Sequence, residues 1–138
     1  MNITQAHNLT RSFLLASRRC MESRPLHHGQ EEMLAIPGIV CLAISIEIGL
    51  KAIILSEGGS SSGHKLDKLF EKISDDTQNM IIQEVGLDQT QFAKSLSLAS
   101  DTFVEWRYIY EQGYTQVDVQ FLNNLANAIQ KAAAKVKK

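Results

Sequence analysis

The sequence predicts an all-α fold, a single-domain, up-and-down helical bundle spanning residues 1–138. Three observations lead there. Apolar residues recur every three or four positions in successive segments, the spacing that lines one face of an α-helix. No segment alternates apolar and polar residues with the period of two that a half-buried strand requires. Helix breakers separate the periodic segments: Pro25, the run Gly58 to Gly63, Gly86 and Gly113.

Taken in order, Ile3, Ala6, Leu9, Phe13, Ala16 and Cys20 predict a first amphipathic helix that stops near Arg24-Pro25. Leu26 to Ala35 reads as a loop or short turn. Pro37 is placed to start a second helix, which runs to about Glu57 and ends at Gly58-Gly59. Its apolar residues occupy most of the circumference, the mark of a central helix. Cys41, Ser45, Gly49 and Ala52 form a small-residue strip that another helix can approach closely. The Gly/Ser run Gly58 to Gly63 reads as a flexible connection. Short helices follow from about Lys65 to Ile73 and from about Thr77 to Val85, the second closing at Gly86. Asp88 with Gln91 reads as a capping box for a long helix through Glu111, ended by Gly113. Thr115 with Asp118 repeats the device for a last helix carrying Phe121, Leu122, Leu125 and Ile129.

A chain of 138 residues is long enough to bury a substantial core. Its formal net charge of −1 gives no global reason to hold nucleic acid, so such contact has to come from a local patch. Cys20 and Cys41 lack CxxC or His spacing and read as reduced core cysteines of a cytoplasmic protein. Arg11, Arg18 and Arg19 interrupt the N-terminal apolar residues, unlike an export signal. The segment Ile36 to Leu55 is membrane-like, but Glu47 and Lys51 in its middle would each cost about 2.5 to 3.5 kcal/mol to insert. It reads as a buried helix, and no membrane partner is expected.

The residues that stand out chemically are charged ones in apolar settings. Phe92, Leu96, Ala99, Phe103, Trp106 and Tyr110 fall on one stripe, with Arg107 at its edge and Glu111 one turn beyond. Glu47 interrupts the apolar arc of the second helix, and Lys51 follows in the favourable Glu-to-Lys order. Pattern alone pairs Arg107 with Glu47.

Three short motifs occur in order: Ala43-Ile44-Ser45-Ile46-Glu47-Ile48-Gly49-Leu50-Lys51-Ala52, then Gly63-His64-Lys65-Leu66-Asp67-Lys68-Leu69-Phe70, then Trp106-Arg107-Tyr108-Ile109-Tyr110-Glu111. This series, over about residues 39 to 112, resembles the HEPN superfamily, the higher-eukaryote and prokaryote nucleotide-binding helical domains. The resemblance implies an up-and-down bundle that often dimerises, found in bacterial toxin, antitoxin and defence systems and sometimes acting as a metal-independent ribonuclease. Nucleolytic members carry an Arg followed after four to six residues by a His. After Arg107 those positions hold Gln112, Gly113 and Tyr114, and the histidines of the chain are His7, His27, His28 and His64.

The expectation is therefore a non-catalytic HEPN-like protein, an immunity protein or antitoxin that neutralises a bacterial nuclease toxin by contact, with no cofactor and no metal. Glu31, Glu32, Asp75, Asp76, Glu84 and Asp88 are its candidate contacts to a basic partner. Two alternatives stand beside it. One is a ribonuclease using Arg107 with His64 or Tyr110; the other is a nucleotide or small-anion site in a polar pocket of Glu47, Lys51, His64, Arg107 and Glu111. The bland reading makes Glu47 and Arg107 a buried structural pair. His27-His28 with Glu31 and Glu32 matches no established metal-ligand spacing. The lysines from Lys131 to Lys138 complement a helix dipole, and Arg11, Arg18, Arg19 and Arg24 form a basic patch on the first helix or cover apolar surface.

Overall fold

The computed structural model describes residues 1–30, 34–104 and 117–136, and these form an all-α bundle with no strand among them. Helix α1 (Ile3–Cys20) opens with a reciprocal cap: Gln5 N–H donates to the Asn2 side chain, and Asn2 N–H to that of Gln5. It ends earlier than Pro25 would require. Glu22 N–H reaches back only three residues to Arg19 O, tightening the last turn, and the chain then reverses through His28 and Gly29, both at positive φ. A 3-10 turn occupies His27–Gly29.

Burial on α1 departs from the predicted stripe. Its fully buried residues are Ala6, Thr10, Leu14 and Ser17, whereas Leu9 is 41% exposed and Phe13, Ala16 and Cys20 are half-buried. The two buried hydroxyls on the core-facing side are satisfied by backbone: Thr10 Oγ1 donates to Ala6 O one turn earlier at 2.8 Å, and Ser17 Oγ to Gly38 O of the next helix at 2.7 Å. A third hydroxyl, Ser45 Oγ, donates to Thr10 O at 2.8 Å. Together the contacts 17 to 38 and 10 to 45 fix α1 antiparallel to α2 (Ala35–Ser56).

Pro37 lies in the first turn of α2, two residues inside its start, where no intrahelical N–H bond is needed. By length and composition this helix could cross a membrane. In the bundle it is the central element: Ile39, Leu42, Ile46, Leu50, Ile53 and Ile54 are each at most 1% exposed. The small-residue strip performs as its composition implies. A Cβ at Gly49 would lie 2.6 Å from Ile129 Cγ2 and 3.3 Å from Thr10 Cγ2, so three helices meet where only glycine leaves room.

α3 (Leu66–Lys72) packs on α2 through Leu66, Leu69 and Phe70. α4 (Asp75–Val85) starts two residues before the predicted Thr77, because Ser74 caps it and Glu57, at the end of α2, accepts from Ser74 N–H, Ser74 Oγ and Thr77 Oγ1 at 2.7 to 2.9 Å. Gly86 closes α4 in the left-handed conformation, φ 86°. α5 (Gln89–Val104) is launched by Asp88 Oδ1, which accepts Gln91 N–H at 2.8 Å; its predicted continuation to Glu111 lies outside the described residues. α6 (Val119–Val136) is capped by Asp118 itself, which accepts Phe121 N–H at 2.9 Å, and Thr115 lies outside the described residues. Rings of Phe70, Phe92 and Phe121 contact in series, with centroids 5.0 and 5.8 Å apart, and bind α3, α5 and α6 into one core.

Candidate functional site

Glu47, Lys51 and His64 are brought together. Glu47 and Lys51 sit one turn apart on α2, and a single carboxylate oxygen, Oε2, lies 3.3 Å from both Lys51 Nζ and His64 Nδ1. His64 is delivered by the Gly/Ser connection. That connection is tied rather than loose: Gly59 N–H bonds to Ile54 O, and Lys72 Nζ donates to Ser62 O at 2.7 Å and to Ser60 O at 3.4 Å. Gly63, at φ 103°, then turns the chain into His64 and α3.

The three side chains differ sharply in solvent access: Lys51 is 14% exposed, Glu47 28% and His64 83%. Charge-assisted hydrogen bonds that fix geometry are typically about 2.7–2.9 Å long. At 3.3 Å, with a ring open to water, the Glu47–His64 contact is longer than such bonds.

Arg107, Tyr110 and Glu111, the remaining members of the expected pocket and ribonuclease set, lie outside the described residues, as do Glu31 and Glu32. The other expected acidic contacts do not act alike. Glu84 pairs with Lys131 of α6, and that hydrogen bond and charge hold its carboxyl below the usual carboxylate range. Asp88 serves as the α5 cap. Asp75 and Asp76 stand exposed in the first turn of α4, about 13 Å along the helix from Glu84. Of the arginines of α1, Arg18 donates to Asn127 Oδ1 at 2.7 Å, which gives it a packing role. Among the described residues, no group of three or more His, Cys, Asp or Glu is placed to hold a metal ion.

Two polar groups escape a sequence reading. Ser100, 2% exposed on α5, donates to Asp67 Oδ1 at 2.8 Å and fastens α5 to α3. At Glu57, burial pushes the carboxyl up, but the bonds from Ser74 and Thr77 more than offset this and leave it below the usual range. A signal for the second existed in Ser74-x-x-Thr77, the spacing of a helix start; nothing local marks the first. Cys20 and Cys41 are free thiols, each half-buried. Burial, and then the neighbouring Cys20, push the Cys41 thiol up.

No protein-family model matches the chain, and comparison with curated proteins and with solved structures gives no significant match.

Proposed function

We propose that this chain is a HEPN-like, non-catalytic binding protein, an immunity protein or antitoxin that neutralises a bacterial nuclease toxin by direct contact. The observation that carries the reading is that no histidine follows Arg107 at the spacing nucleolytic members use, where Gln112, Gly113 and Tyr114 stand instead. Among the described acidic contacts, Asp75 and Asp76, exposed at the start of α4, are the ones with no capping or pairing role. A basic toxin is the partner their charge fits, through faster encounter and selection against acidic competitors. The test is affinity capture of the tagged chain from its host at low salt. A stoichiometric partner carrying nuclease activity supports the reading, and recovery of none argues against it.

One observation favours a second reading, a metal-independent ribonuclease. Glu47 faces His64 Nδ1, which leaves Nε2 as the atom that would meet a ribose hydroxyl, with Arg107 stabilising the phosphorane. Purified protein would then cleave RNA in the presence of a chelator, and His64→Ala or Arg107→Ala would abolish the cleavage. Activity surviving both changes belongs to a contaminant.

A further inference from the structure

A cleft of about 490 Å³ opens between α3, α4 and α5. Helical spacing puts it there. Gln89, Phe92, Ala93, Leu96 and Ser97 recur every three or four residues, so α5 presents a continuous stripe to the other two helices. Phe92 and Leu96 of that stripe are buried, and the Phe92 ring meets that of Phe70 on α3 with centroids 5.0 Å apart. The cleft therefore has an apolar, largely aromatic floor. From Gln89 to Ser97 it follows α5 for about 12 Å.

Its charged rim carries one sign. Asp67 and Glu71, one turn apart on α3, line the cleft, and no Lys, Arg or His among the described residues does. Asp67 is half-buried and held in place: Lys68 N–H and Ser100 Oγ donate to it at 2.8 Å, both on Oδ1. A carboxylate so fixed keeps the acceptor capacity of its second oxygen. The nearby lysines offset little of this charge. Lys72 is engaged by the carbonyls of Ser60 and Ser62, and Lys68 reaches Glu71 at 3.8 Å in a pair exposed on both sides, of the kind that contributes little.

We infer that this cleft binds a small organic cation, a protonated amine or guanidine carried on an apolar body up to about 12 Å long. The body lies on Phe70, Phe92 and Leu96, and the cationic end meets Asp67, with Glu71 adding to the attraction. The volume falls within the range of about 300–1,000 Å³ typical of small-molecule sites, which combine an apolar lining with a few placed polar groups. The sign of the rim selects a cation, because an anion of the same shape would face two carboxylates. The site is separate from the toxin-binding reading: none of Glu47, His64, Asp75 and Asp76 lines it.

The experiment titrates the full chain with phenylbutylamine and follows amide and methyl NMR shifts. Phenylbutyrate, the same body with the opposite charge, and butylamine, the charge without the ring, serve as controls. The amine should give saturable shifts centred on Ile82, Ala93 and Leu96, and neither control should saturate. Asp67→Asn, which retains an acceptor for Ser100, should weaken the amine about tenfold or more, as loss of a charge-assisted hydrogen bond implies. Ala93→Phe, on the exposed lip, fills the cleft without touching the Asp67–Ser100 bond and should abolish binding with cooperative unfolding retained. Changing Asp75 and Asp76 to Asn should leave the amine bound as before. Absence of saturation up to the solubility of the amine overturns the inference. So does phenylbutyrate binding as tightly as the amine, or amine binding that survives Ala93→Phe. No toxin enters the measurement, so its failure and failure of the toxin-binding reading are separable.

Discussion

Substituting Gly49 by alanine tests the packing at the centre of the bundle. Elsewhere in a helix the change gains about 1 kcal/mol, since glycine has the greater conformational freedom to lose. Here the new Cβ would stand 2.6 Å from Ile129 Cγ2, against about 3.5–4.0 Å for a favourable carbon–carbon contact. Relief requires a shift of about 1 Å. Ile129 is fully buried and β-branched, so Cγ2 cannot swing away as the end of a long side chain could. Overpacking of this kind costs about 1–3 kcal/mol, which outweighs or cancels the propensity gain. Gly49→Ala should therefore fail to stabilise and is expected to cost up to about 2 kcal/mol in urea unfolding. Ile129→Leu removes the offending methyl at nearly constant volume, and in that background Gly49→Ala should recover its stabilising sign. The cycle should show coupling of about 1–3 kcal/mol. A Gly49→Ala variant stabilised by the full propensity gain, with coupling near zero, would mean that α2 and α6 do not meet as described.

Removing the buried hydroxyl at Ser45 or Ser17 by alanine should each cost about 1 kcal/mol in the same assay, since each makes one backbone bond between α1 and α2. Glu57 has a lowered carboxyl in the fold, so its contribution is present above the ordinary carboxylate range and is lost as pH falls through that range toward the folded value. Glu57→Gln should flatten that part of the stability–pH curve, and an unchanged acid limb would refute the cap. Lys131→Ala, breaking an exposed pair, should scarcely move the denaturation midpoint, and any effect should shrink further in high salt. The raised Cys41 thiol should alkylate more slowly than a free cysteine near neutral pH, and a rate equal to the free thiol's would contradict its burial.

The helical class was legible because its evidence is local: period, caps and breakers lie within a few residues of what they specify. Gly86 and Asp88 behave as their positions imply, and Gly49 permits the close approach its strip suggested. What sequence could not give is the rotation of α1. An apolar wheel favours the Leu9–Phe13–Ala16 stripe, yet the bundle buries Thr10, which back-bonds to Ala6 O within its own helix, and Ser17, whose partner Gly38 O comes within reach only when α2 packs. The early start of α4 has the same origin, because Glu57 reinforces Ser74 across 17 positions of chain. For the site, Glu47 with Lys51 followed from i,i+4 spacing alone. His64 joined them through a loop whose course depends on Lys72, a contact no periodicity encodes. The expected partnership of Glu47 with Arg107 falls outside the described residues.

The central claim, that this chain acts by binding a basic protein, is tested most directly by native mass spectrometry of the tagged chain isolated from its host at low salt. The predicted result is a stoichiometric complex with a basic protein, depleted when Asp75 and Asp76 are both changed to Asn while the fold is retained. Recovery of the chain with no second protein, alone or only as its own oligomer, would contradict it.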